Sequence, residues 1–103
     1  MPRKGKIGIS NIRLRKRMVE ILASIEGNEF PSAQALLERL VQSGMSPRLI
    51  GSVGRVSQLC RTTKGIGSFT GLVTSGMGDN YKAEVYYLES EEAFKQWVDS
   101  KTV

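Results

Sequence analysis

Residues 31–64 read PSAQALLERLVQSGMSPRLIGSVGRVSQLCRTTK, and their periodicity decides the fold. Ala33, Leu36, Leu37, Leu40 and Val41 recur at helical spacing and lay one apolar stripe along a helix over 32–43. Ser43-Gly44-Met45-Ser46 is then a tight turn, with Gly44 as the left-handed residue that ends a helix. Ser46 as N-cap and Pro47 at the first helical position start a further helix, read over 47–62. Its apolar face is Leu49, Val53, Val56 and Cys60. At about 100° per residue, the opposite face carries Arg48, Gly51, Ser52, Arg55, Gln58 and Thr62.

That second face is slim, basic and amide-bearing, and no carboxylate occurs between Gln42 and Met77. Small residues let a helix approach a groove closely, while Arg and Gln reach guanine and adenine edges or phosphates. Two helices joined by a Gly-containing turn, the second of them basic, have the form of a helix-turn-helix. An ordinary helical hairpin with a solvated polar face fits the same residues, so the flanking segments have to decide. Gly51 and Gly54 each cost ~1 kcal/mol relative to alanine inside a helix. A close approach to DNA or to another helix accounts for them, and so does a bend.

The chain has 103 residues, 40% hydrophobic and 24% charged, which suits one globular domain with a modest core. It lacks an apolar run of the ~20 residues that span a bilayer. Its basic N-terminus has no apolar signal-peptide region, so a soluble, cytoplasmic, nucleoid-associated protein without membrane contact is expected. The single cysteine, Cys60, lies on the apolar face and reads as a small core residue. The net charge of +5 implies an anionic partner. Arg3, Lys4, Lys6, Arg13, Arg15, Lys16 and Arg17 precede the first acid, whereas Glu89, Glu91, Glu92 and Asp99 outnumber Lys95 and Lys101 near the C-terminus.

Residues 1–9 form an unpatterned basic arm, of the kind that lies along phosphates or enters a minor groove. Ser10 or Asn11 caps a first helix, over 11–26, whose core stripe is Leu14, Met18, Ile21, Leu22 and Ile25. Basic residues in its first turns oppose the helix dipole, which suggests that Arg13 to Arg17 meet an external anion. Glu29-Phe30-Pro31 is an extended link, with Phe30 packing on the core. After Lys64 the period changes. Residues 66–74 and 81–88 alternate as strands around the turn cluster Ser75 to Asn80, and together they make a β-hairpin. Ser90 then caps a last helix with the apolar stripe Ala93, Phe94, Trp97 and Val98.

Three helices at 11–26, 32–43 and 47–62, followed by a hairpin at 66–88 ending in Tyr86-Tyr87-Leu88, resemble the winged helix-turn-helix superfamily in element order and pattern. The expected fold is therefore α+β: a basic arm (1–9), a three-helix winged helix-turn-helix with a hairpin wing (10–88) and an added C-terminal helix (89–103). The resemblance implies that Arg48, Ser52, Arg55 and Gln58 on the third helix enter a major groove. It also implies that the hairpin tip touches the backbone or the adjacent minor groove. Only Lys82 is basic near that tip, and Asp79 would be repelled by phosphate.

Acid–base chemistry has little to work with. There is no histidine, and one cysteine cannot make a zinc ribbon. Gly65-Ile66-Gly67-Ser68-Phe69-Thr70-Gly71 looks like a phosphate cradle, but it leads into a strand and lacks a Gly-Lys-Ser/Thr ending. Neither an enzyme nor a cofactor is expected. The leading expectation is a double-stranded-DNA-binding transcriptional regulator. Its third helix reads bases, while Arg61, Lys64, Arg13, Lys16, Arg17, Arg3, Lys4 and Lys6 hold phosphates. The alternatives are an RNA- or ribosome-binding module that stacks bases on Tyr81, Tyr86 or Tyr87, and a protein-interaction adaptor that uses Met77 and the Phe94/Trp97 stripe. A homodimer through Phe94 and Trp97 of the last helix is a further expectation.

Overall fold

The computed structural model describes residues 10–25, 30–74 and 77–101. The chain is α+β, and the described residues form five helices and one antiparallel hairpin, in the order α1 (Ile12–Ser24), α2 (Ala33–Gln42), α3 (Pro47–Ile50), α4 (Val53–Thr62), β1 (Ile66–Thr74), β2 (Asn80–Leu88), α5 (Glu91–Lys101). The helix starts follow local chemistry. Ser32, Ser46 and Ser90 accept the backbone N–H of Ala35, Arg48 and Ala93 at 3.3, 3.2 and 3.0 Å.

The helix read over 47–62 is two helices. Gly51 sits at φ +85°, ψ −134°, which ends α3 after one turn, and Ser52 recaps α4 through the Arg55 N–H at 3.2 Å. The break rotates the two pieces relative to each other, so the buried set is Ile50, Val56, Leu59 and Cys60. Leu49 and Val53, expected inside on a continuous helix, are instead exposed.

The main core joins Leu14, Met18 and Leu22 of α1, Leu36 and Leu40 of α2, Ile50, Val56, Leu59 and Cys60, and Tyr86 of β2. A second cluster seats Phe94 and Val98 of α5 against Val19 of α1. β1 pairs with β2 from Ile66↔Leu88 to Thr74↔Asn80. On its other edge β2 meets the link before α2: Ser32 bridges to Val85, and the Tyr86 N–H donates to the Pro31 carbonyl at 2.9 Å. Phe30 does not enter the core as expected. It is 42% exposed and meets Phe69 and Tyr87 edge-on, with ring centroids at 5.0 and 6.2 Å. No helix among the described residues is long and apolar enough to cross a membrane.

Candidate nucleic-acid interface

The exposed side of α4 carries Arg55, Gln58 and Thr62, at i, i+3 and i+7, which share one helical face. Together with Ser10, Asn11, Arg15 and Leu59 they line a cleft where α1 begins. Two arginines build that cleft. Arg55 reaches across to the Asn11 side-chain oxygen. Asn11 stands at the N-cap position of α1, but it sits at φ +56° and its side chain makes no capping bond, so its amide is turned over to α4.

Arg15 lies within the run Arg13 to Arg17 expected to meet an external anion, yet it is only 6% exposed. Its Nη1 donates to Thr62 Oγ1, Thr63 Oγ1 and the Leu59 carbonyl at 2.9, 2.8 and 3.3 Å, and its Nε donates to the Ser10 carbonyl at 2.7 Å. Leu59 and Thr62 lie in the last turn of α4, where free carbonyls and the negative dipole end favour a cation. The guanidinium also lies over the Trp97 ring, 5.5 Å from its centroid. Burial pulls its pKa below the usual arginine value. Arg15 therefore ties α1 to α4 and α5 and is not spent on an external anion.

The remaining expected residues divide. Arg48 is exposed on α3, ahead of the break. Ser52 stands at the start of α4, not on a helical face, and its hydroxyl is occupied by the Arg55 N–H. Arg61 is exposed but already paired. Its Nε and Nη2 donate to Glu84 Oε1 at 2.9 and 2.7 Å, and the same oxygen accepts from Tyr86 Oη at 2.9 Å. These bonds, the one from Arg61 first, hold the Glu84 carboxyl below its ordinary range. Tyr86 Oη also meets Ser57 Oγ at 2.8 Å, so the network locks α4 to β2.

Lys64 is exposed just beyond α4, and Lys82 is exposed opposite Leu72 on the hairpin. Arg13, Lys16 and Arg17 occupy the solvent face of α1, opposite Leu14, Met18 and Leu22, with Arg17 near Glu20 at 3.8 Å. The structure thus does not gather them into the α4 cleft. Arg3, Lys4 and Lys6 lie outside the described residues. Of the tyrosines expected to stack bases, Tyr86 is 1% exposed and Tyr87 sits in the ring cluster with Phe30 and Phe69. Only Tyr81 stands open. Phe94, expected at a dimer interface, is committed to Val19.

Sequence reasoning missed Asn11 and Arg15 as builders of the cleft, since their partners on α4 lie more than forty residues away and the one local signal is the position of Arg15 on the buried side of α1. No family model, characterised protein or solved structure matches this chain.

Proposed function

We propose that the chain is a winged-helix-type module that binds double-stranded DNA, presenting the exposed face of α4 to the major groove, and that it serves as a transcriptional regulator without enzymatic activity. One observation carries the reading. Arg55 and Gln58 stand exposed on a face with no carboxylate of its own, beside Ser10, from which the basic segment 1–9 continues. Arg15 and Arg55 hold Ser10 and Asn11 in place beside that face. Arg and Gln supply the base-edge chemistry, and the basic sequence that precedes Ser10 supplies the sequence-independent attraction.

Gly54 supports the same use. Among the described residues a Cβ there would have only Ser52 Oγ nearby, at 3.7 Å, so their packing does not require a glycine at the start of α4. Duplex DNA is favoured over RNA because, of the three tyrosines that could stack on bases, Tyr86 is buried and Tyr87 is half-buried against Phe30 and Phe69.

The test is a salt titration of the full chain against duplex DNA, single-stranded DNA and RNA. Arg55→Ala should weaken specific duplex sites by ~1–3 kcal/mol, while Lys16→Ala weakens all sequences alike and lowers the salt slope by about one. Unchanged binding in both variants sinks the reading.

A further inference from the structure

β1 is the outer strand of the hairpin. β2 pairs on both edges, with β1 and with the link at Ser32, whereas β1 makes no second ladder among the described residues. The direction of its unpaired groups follows from two bonds. The Gly65 carbonyl accepts the Glu89 N–H, so Gly65 faces β2, and the Tyr86 N–H points away from β1 to Pro31. Alternation then turns Gly67, Phe69, Gly71 and Val73 toward β2, and sends the N–H and C=O groups of Ser68, Thr70, Leu72 and Thr74 to the free edge.

Folded proteins protect such edges with lysine, proline or a bulge. This one has none of them. From Gly65 to Thr74 the strand contains no charge and no proline, and it pairs with β2 residue for residue without a bulge. Phe69 and Leu72 on it are 43% and 70% exposed.

We infer that the free edge of β1 pairs antiparallel with β1 of a second copy, joining two hairpins into one continuous sheet. A copy of a chain carrying +5 is repelled over most of its surface. The β1 edge is a neutral line along which two copies meet without opposing cations. The strand is also complementary to itself about a two-fold axis through Thr70. That register sets Thr70 against Thr70 of the second copy and Ser68 against its Leu72, using the backbone groups left open. Threonine pairs are favourable across strands, and no like charges oppose. Each Phe69 then faces the side-chain-free Gly71 of the second copy at a non-hydrogen-bonded position, where side chains approach most closely and an aromatic over glycine is well accommodated.

The test needs no nucleic acid, so its outcome is separate from that of the DNA reading. Sedimentation of the full chain over a concentration series should show a monomer–dimer equilibrium. Thr70→Pro removes an N–H that the hairpin itself does not use, and should weaken the dimer ~10-fold or more while the hairpin remains. Thr70→Lys places two ammonium groups across the axis and should weaken the dimer likewise, covering the case in which the proline variant fails to fold. Lys95→Ala on α5 should leave the dimer unchanged. A monomer at every concentration, a dimer indifferent to both Thr70 variants, or pairing of the edge only with a strand of another protein would overturn the assignment.

Discussion

Arg15 in α1 donates to Thr63 Oγ1, just past the end of α4, across 2.8 Å and forty-eight positions of sequence. Both residues are buried, and the same guanidinium nitrogen also reaches the Leu59 carbonyl. A cation drawn out of water is tolerable here because the last turn of α4 supplies acceptors and the negative end of its dipole. Arg15→Ala should cost about 3 kcal/mol, the upper range for hydrogen bonds from a charged donor. Arg15→Lys should recover only part of it, because an ammonium cannot reproduce the planar fork. Denaturant unfolding of the two variants checks this. Equal stability of Arg15→Ala and the parent would refute the assigned role.

Gly51 makes the break between α3 and α4 possible. Its φ of +85° lies where L side chains are strained, and a Cβ there would stand 2.7 Å from Arg55 Cδ. Gly51→Ala should therefore destabilise the fold by about 1–3 kcal/mol and displace Arg55. Gly54→Ala should do the opposite to stability. Its site is open, so the helix gains up to ~1 kcal/mol. If α4 enters a groove at this end, the same methyl weakens duplex binding. Thermal melts and duplex titrations of the pair separate a backbone requirement from a docking one.

The Cys60 thiol is fully buried, and burial pushes its pKa up to about 12 from an ordinary 9.0. The folded state thus favours the protonated thiol. That contribution is complete below the unfolded pKa and is lost as pH rises through about 12. Urea midpoints measured upward from pH 9 should fall for the parent, and less for Cys60→Ala at its own lower baseline. Alkylation by iodoacetamide at neutral pH should be negligible until urea unfolds the chain.

The element order, the serine caps and the Gly44 turn were legible because each rests on a signal within a few residues. Ser46-Pro47 and Ser90 start helices where their side chains reach the nearest backbone N–H groups. Gly51 was visible as a cost, but a cost does not say whether a helix bends, breaks or approaches a neighbour. Burying Ile50 completely while turning Leu49 out is a tertiary outcome. Arg15 was hidden for a stronger reason. It sits in a basic run with Arg13, Lys16 and Arg17, and only its place on the wheel, between Leu22 and Val19, sets it apart. Its acceptors are backbone and hydroxyl oxygens of α4, which leave no charge pattern to read. Arg61 misled similarly, since its carboxylate partner is across the hairpin.

Glu84 and Arg61 supply the last prediction. The carboxylate cancels a cation on the side of α4 that faces the hairpin, and Tyr86 Oη steadies it. The Arg61 side chain is 61% exposed and that of Glu84 32%, so water screens the pair and it adds little to stability. Its consequence is electrostatic. Glu84→Gln keeps the shape and a hydrogen-bond acceptor but removes the negative charge, leaving Arg61 uncompensated beside Arg55 and Gln58. If α4 docks on DNA, affinity for all duplex sequences should rise, and the salt slope should steepen by about one as an additional phosphate is engaged. Site preference should be unchanged, because Arg61 reads no base. Arg61→Ala in the Glu84→Gln background should return the slope to the parent value. A slope that does not change in Glu84→Gln would mean that this flank of α4 stays clear of the phosphate backbone, and that the DNA face is confined to Arg55, Gln58 and the segment leading into Ser10.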